Sequence, residues 1–350
     1  MSMIGLSRRS LLARASLGAA TLIGLPGATP PRTFAASQDD LEPVSLQLNW
    51  NPNAEHAPYF LGKKLGFYAD EGIDVEIRPG QGSATAVKLV GTGDSNFGVA
   101  VADAVTVGRG QGVPVVATAV LLQESPTVLV SFTEKGIVEP ADLAGMRVAV
   151  NTQSTVHAYW LAFLDANEID RSQITEVNVS GASLPLLIAD QVDATGALLT
   201  NEVVTLQNEG FDLNIINYAE YGVPSYGQVL FTSDEFASAN PDLARRFTAA
   251  TLRSWEYSLE HVDEAVAALA EAVPETDVAL ETAKWGPIQE LVLGAAGEEV
   301  QFGQQTLEGW QETYNTFEAG GLIDEPFDPQ SLFTTDFLAA DEQAVATPAP

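Results

Sequence analysis

Strand-like and helix-like segments alternate along most of this 350-residue chain, and partway through the alternation stops and begins again. "PVSLQLNW" (43–50) reads as a strand, "APYFLGKKLGFYADEG" (57–72) as a helix and "IDVEIRPG" (73–80) as a strand. "SATAVKLVGTG" (83–93) continues as a helix, "SNFGVAV" (95–101) as a strand and "ADAVTVGRGQG" (102–112) as a helix, followed by the apolar strands "VPVVATAVLL" and "PTVLVSF". Strands separated by helices of this length form parallel β-α-β units.

Near residue 134 the pattern restarts. A short helix precedes the strand "RVAV", a polar turn opens the helix containing "VHAYWLAFL", and three more strands follow at "SQITEVNVS", "ATGALLT" and "LNIINYAEYG". "GQVLFTS" (227–233) then reads as a strand returning to the first unit, ahead of a largely helical remainder. An α/β unit interrupted by a second one predicts two lobes joined by two crossings, near residues 131–135 and 222–230. Such lobes enclose a hinged cleft, and ligands bind where strand ends face it. The expected division is 43–131 and 226–338 for the first lobe and 132–225 for the second, with a disordered tail at 339–350.

The first 36 residues stand apart. Arg8 and Arg9 precede a moderate apolar stretch broken by Gly24 and Pro26, and small residues surround Ala35 and Ala36. This pattern predicts an export signal of the twin-arginine type and an extracytoplasmic protein. The segment holds four arginines and no carboxylates, so its removal changes the formal charge from −31 to about −35. So acidic a surface repels phosphate backbones and argues against nucleic-acid binding. The chain has no cysteine, which excludes disulfides, thiolate metal sites, thiol catalysis and a lipid-attached N-terminal cysteine. His56, His157 and His261 lie far apart, so no histidine metal site is expected.

The candidate site residues gather at strand ends. "NWNPNAEHAPYF" (49–60) follows the first strand, where Trp50 and Tyr59 offer planar faces and Asn51, Asn53 and His56 offer donors and acceptors. That combination suits a flat heteroaromatic ligand, although His56 taken alone reads first as a turn histidine satisfied by backbone groups. After the second strand, Gly82 permits a tight turn, and the backbone N–H groups of Ser83, Ala84 and Thr85 are expected to open a helix toward the cleft. Ser154 and Thr155 open a helix in the same way in the second lobe. Asp103 and Glu202 each follow a strand at a helix start, and Tyr226 sits beside the second crossing, as a ligand-facing or a hinge-packing aromatic.

These residues carry a resemblance. "LQLNWNPNAEHAPYFLGKKLGFYADEGIDVEI", "GSATAVKLVGTGDSNFGVAVADAVTVGRGQGVPVVATAVLLQESPTVLV", "DLAGMRVAV", "ADQVDATGALLTNEVV" and "YGVPSYGQVLFTS" are similar to solute-binding proteins of ABC importers for thiamine-pyrimidine precursors. The resemblance covers nearly the whole chain after the signal. It implies a type II periplasmic-binding-protein fold, a monomer without cofactor, and delivery of the ligand to a membrane permease with its ATPase. It also implies that Trp50 and a second-lobe aromatic such as Tyr226 stack on the ring, with Glu202 pairing with its amino substituent. Related branches bind riboflavin, and more distant ones bind sulfonates or other oxyanions. One relative, the fungal pyrimidine synthase, uses a lysine-held pyridoxal phosphate and its own histidine. At the matching stretch 98–105 this chain has neither lysine nor histidine, and Ala100 and Ala104 stand at or near those places. No cysteine occupies "YGVPSYGQV", where the synthase carries its iron motif.

Overall fold

The computed structural model describes residues 41–152, 156–180, 182–294 and 302–338. The expected export signal and tail lie outside the described residues, as do Ser154 and Thr155.

Four strands come first: β1 (Glu42–Gln47), β2 (Ile73–Arg78), β3 (Phe97–Val101) and β4 (Val115–Val120). Their connections carry α1 (Ala57–Leu65), α2 (Phe67–Asp70), α3 (Ser83–Gly91) and α4 (Ala102–Gly110). Next come β5 (Thr127–Phe132), β6 (Arg147–Val150), β7 (Thr175–Asn178), β8 (Ala194–Leu198) and β9 (Leu213–Asn217). Here α5 (Val156–Ala166), α6 (Leu184–Ile188) and α7 (Val204–Asn208) connect the strands. After β10 (Gln228–Ser233) the chain is helical: α8 (Asp234–Ala239), α9 (Pro241–Glu260), α10 (Val262–Ala272), α11 (Val278–Ala283), α12 (Trp285–Leu293) and α13 (Leu307–Ala319).

The strands form two five-stranded sheets, ordered β2-β1-β3-β10-β4 and β7-β6-β8-β5-β9. In each, the parallel set is completed by one antiparallel strand. β10 runs against β3 and β4 in the first sheet, and β5 against β8 and β9 in the second. The pairing of β5 corrects the expected boundary at 131–132. Residues 127–132 belong to the second sheet, so the first crossing is the stretch 121–126 rather than 131–135. The return runs through 218–227. An apolar strand buried on both faces reads the same whichever sheet accepts it, so only the pairing discloses its lobe.

Hydrophobic burial covers both faces of both sheets. Leu46, Tyr59, Phe97, Phe247 and Trp255 join α1 and α9 to one face of the first sheet, and Val87, Val90, Phe231 and Trp310 cover the other. In the second sheet, Phe163 of α5 joins Leu129, Val148 and Ile216 in one core, while Leu187 of α6 and Leu206 of α7 join Val128 and Val130 in another. Each fully buried side chain of this size contributes about 1.5–3 kcal/mol. The outer edge of β4 is not left open, because isolated bridges reach it from Gly303 and Phe333.

α13 was expected on the first lobe alone. Its Trp310 packs there, but Tyr314 and Phe317 are buried in the second lobe's core. The helix therefore straps both lobes behind the crossings.

Candidate functional site

Strand-end loops of the first lobe are zipped together by backbone. Leu48 N–H donates to Arg78 O (2.9 Å), Gly80 N–H to Trp50 O (3.0 Å) and Gly82 N–H to Asn49 O (2.6 Å). A Cβ on Gly80 would lie 2.0 Å from Leu48 O, so only glycine permits this approach. On that platform the Trp50 side chain is 52% exposed, whereas Trp160, Trp255, Trp285 and Trp310 are buried. A rigidly held tryptophan left half in water among four that are buried is an informative exception to burial.

Beneath Trp50 the loop is held by His56. Asn53 N–H donates to its Nδ1 (3.2 Å), so Nε2 carries the proton and donates to Asn49 Oδ1 (2.7 Å). The Asn53 side chain in turn accepts from Glu55 N–H (3.0 Å), capping the short turn Ala54–His56. His56 is 1% exposed, and burial lowers its pKa from 6.5 to about 3. Both ring nitrogens are used by the loop, so His56 shapes the site and does not reach a ligand.

The same turn carries Glu55 toward the second lobe. Its Oε1 accepts from Thr200 Oγ, in the π-helical turn Leu199–Val203, and its Oε2 accepts from Gln228 Nε2 (3.1 Å). Tyr59 OH donates to Gln228 Oε1 (3.1 Å), while its ring is fully buried against Trp255. Below, Ala54 N–H donates to Glu281 Oε2 (2.6 Å), and Lys284 Nζ donates to Glu281 Oε1 (2.7 Å). Burial raises the Glu55 pKa, the charges of Glu202 and Glu281 push the same way, and the Thr200 hydroxyl and Lys284 pull against them. Glu55 thus links the lobes beside Glu202.

The second lobe contains a cavity of about 220 Å³ at the carboxyl ends of β6 and β8, under the first turns of α5. Val148, Val150, Leu184, Trp160 and Tyr218 supply apolar walls, and Glu202, His157, Ser183 and Thr195 supply polar groups. Trp160 is fixed by donating Nε1–H to Glu176 (2.8 Å), a carboxylate also gripped by Arg171 (2.6 and 2.7 Å). Thr195 Oγ donates to Ser183 Oγ (2.6 Å). Glu202 accepts from Leu198 N–H through Oε2 (3.0 Å). It lies in the π-helical turn ahead of α7, not at the start of a regular helix as expected. His157 Nε2 is buried with no hydrogen-bond partner among the described residues, and burial lowers the ring's pKa. No lysine lines this cavity, and among the described residues no group of three histidine, aspartate or glutamate side chains could hold a metal ion.

The other expected residues are placed as follows. Asn51 is exposed, and Asp103 is buried at the start of α4. Gly82 takes a φ of 123°, and Ser83 Oγ accepts from Val101 N–H (3.3 Å). Ala84 and Thr85 are exposed, but Thr85 N–H is turned back to Gly82 O (3.1 Å), so that N–H is not presented to a ligand. Tyr226 is not a second-lobe aromatic. It is 7% exposed in the first lobe's core, edge-on to Trp310, and its OH accepts from Thr306 N–H (3.1 Å). Sequence reasoning passed over Glu55, His157, Trp160, Ser183 and Thr195. Glu55 was in the quoted loop, and its position between Asn53 and His56 was the available signal; the others lacked one.

Two antiparallel-completed sheets joined by two crossings, with strand ends facing one another, define the type II periplasmic-binding-protein fold. The aliphatic sulphonate binding protein SsuA of Escherichia coli superposes on it with a TM-score of 0.66 at 13% identity, over 83% of this chain and 97% of that one. The sequence profile of the NMT1/THI5-like family matches residues 53–265, and the chain belongs to that family. The formylaminopyrimidine-binding protein of Halalkalibacterium halodurans is 25% identical over 87% of this chain and 93% of its own. The riboflavin-binding protein RibY of Chloroflexus aurantiacus is 26% identical over 89% and 91%. A 4-amino-5-hydroxymethyl-2-methylpyrimidine phosphate synthase of Legionella pneumophila is 26% identical over 84% and 92%.

Proposed function

We propose that the protein is an exported solute-binding component of an ABC importer that captures an aminopyrimidine of the thiamine-precursor type. One observation carries this reading: a small, largely apolar cavity at second-lobe strand ends, lined by Glu202, whose charge is felt by Glu55 in the first-lobe turn that follows Trp50. Apolar walls with a few fixed polar groups suit a planar ring with polar edges. In this reading Trp50 supplies a stacking face from the first lobe, and lobe closure would signal the loaded state to the permease and its ATPase. Full-length similarity to a formylaminopyrimidine-binding protein supports the ligand class. The same similarity to RibY makes riboflavin the competing ligand.

A catalytic reading has less support. The synthase chemistry requires a lysine to hold pyridoxal phosphate, and Lys284, the buried lysine below the site, is committed to its ion pair with Glu281. An oxyanion ligand would rely on helix-start N–H groups, of which that of Thr85 is already engaged.

Calorimetry with a formylaminopyrimidine, riboflavin and an alkanesulfonate tests the reading. The expected order places the pyrimidine first, and Trp50→Ala weakens it by roughly 30-fold, about 2 kcal/mol, with the fold unchanged. Preferential binding of riboflavin or sulfonate, or an unaltered pyrimidine affinity in the variant, would overturn it.

A further inference from the structure

We propose that Glu55 is a positioning residue for ligand capture: through Thr200 it holds the π-helical turn that lines the second-lobe cavity, so that filling the cavity and bringing the lobes together become one event. This rests on the reading of the protein as a solute-binding component that closes on its ligand, and it names the residue that ties closure to capture.

The turn Leu199–Val203 touches three parts of the molecule within five residues. Glu202 lines the cavity. Thr200, 1% exposed, donates to Glu55 Oε1 in the first lobe. Leu199 packs against the first-lobe core that contains Tyr59 and Trp255 and against the second-lobe core that contains Val128 and Leu206. Its N–H donates to Pro126 O of the first crossing (2.7 Å). Turns of π-helical form are rare and recur at functional sites.

The first lobe holds Glu55 firmly. Its Oε2 accepts from Gln228 Nε2 (3.1 Å) at the start of β10, and its N–H donates to Asn53 Oδ1 (3.0 Å). The preceding N–H, of Ala54, is anchored on Glu281 Oε2 (2.6 Å). A fixed carboxylate gives Thr200 one position to meet, and the turn brings Glu202 with it. Such coupling is reciprocal: what ligand contact adds to lobe contact, lobe contact returns to ligand affinity.

The groups facing Glu55 give this coupling a signature that plain mechanical support lacks. Glu202 comes from the turn, Glu281 from α11, Lys284 from the residue after α11 and Tyr59 from α1, with neutral His56 next in the chain. Burial does most to raise the Glu55 carboxyl above its ordinary 4.5, and the charges of Glu202 and Glu281 add to it, against the Thr200 hydroxyl and Lys284. Parting the lobes returns water to Glu55 and takes Glu202 away, so its pKa falls back toward 4.5. Lobe contact therefore takes up a proton in the window above 4.5, and affinity rises as the pH falls through it, by at most about one decade per pH unit. The Thr200 contact survives the change, because a hydroxyl can accept from a protonated carboxyl as well as donate to a carboxylate.

Calorimetric titration of the full chain with 4-amino-5-hydroxymethyl-2-methylpyrimidine, between about pH 5 and pH 8, tests the coupling. Glu55→Ala is expected to weaken binding roughly tenfold. Glu55→Gln should keep the affinity, because its amide donates to Thr200 Oγ and accepts from Gln228 as the protonated acid does. Wild-type affinity should rise relative to Glu55→Gln as the pH falls; titration of the ligand itself is common to both proteins and cancels in that comparison. Parallel pH profiles for wild type and Glu55→Gln, or wild-type affinity in Glu55→Ala, overturn the coupling while the functional reading stands. If Glu55→Ala fails to fold, the two pH profiles decide alone. Wild-type protein that takes riboflavin or an alkanesulfonate in place of the pyrimidine removes the functional reading, and the same comparison with that ligand still decides the role of Glu55. Binding of none of the three removes both.

Discussion

His56 shows how one side chain can look like a binding residue and serve the loop instead. Its neutral imidazole closes a ring of contacts from Asn49 to Asn53, and protonation would break the bond from Asn53 N–H. The unfolded chain takes up that proton near pH 6.5, whereas the folded one resists until about pH 3. Between those values the unfolded state holds more protons, so stability falls as the pH falls through this window. The slope attributable to this residue approaches 1.4 kcal/mol per pH unit. Urea midpoints recorded from pH 7 to pH 4 should decline, and His56→Gln should flatten that decline. An equal slope in the variant would assign the acid sensitivity to other groups. Asp193 adds to acid sensitivity at lower pH. Arg147 and Lys135 hold its pKa below 3.8, so its contribution is present above that value and is lost as pH falls below it.

At the scale of elements, the first-lobe rim depends on two loops fitting backbone to backbone. Gly80 is the point of contact, and an added Cβ would collide with the carbonyl of Leu48, which cannot rotate away as a side chain could. Gly80→Ala should destabilise the protein by about 2–4 kcal/mol. It should also lower ligand affinity, because the loop bearing Trp50 moves with Gly80. Thermal melting and calorimetry on one preparation would check both effects; a loss of neither would show that the loops are less tightly coupled. The glycine turn itself was legible, because Pro79, Gly80 and Gly82 follow a strand pattern. The sequence points the helix start after this turn toward the cleft, while the structure uses part of the turn to anchor the tryptophan loop.

At the scale of the molecule, the lobes are joined by more than two crossings. Thr200 donates to Glu55 across the cleft, and the crossings are themselves tied to the second lobe, by Asn217 Nδ2 donating to Glu124 Oε1 (2.6 Å) and by the hydroxyl bond that Tyr159 and Ser225 share (2.8 Å). α13 adds apolar packing to both sides. Thr200→Val keeps the shape of the contact but removes the donor to a half-buried carboxylate. It should cost about 1–3 kcal/mol of stability and shift the lobes toward a more open population. Small-angle scattering without ligand would show a larger radius of gyration. An identical scattering curve would mean that α13 and the crossings alone set the lobe angle.

The alternation of strands and helices, its interruption and the clustering of aromatic and polar residues after the first strand all lie within short stretches of chain. Periodicity and turn chemistry therefore disclosed the two-lobed α/β architecture and placed Trp50 and Glu202 at strand ends. What the chain order could not carry was partnership between distant segments. The sheet that receives β5 depends on backbone pairing with β8 and β9, and the burial of Tyr226 depends on Thr306 and Trp310 arriving from the far end of the sequence. Glu55 and His157 became visible for the same reason. A carboxylate's partner in another lobe, and an imidazole nitrogen buried without a partner among the described residues, are properties of packing, which exist only once the tertiary structure has brought those segments together.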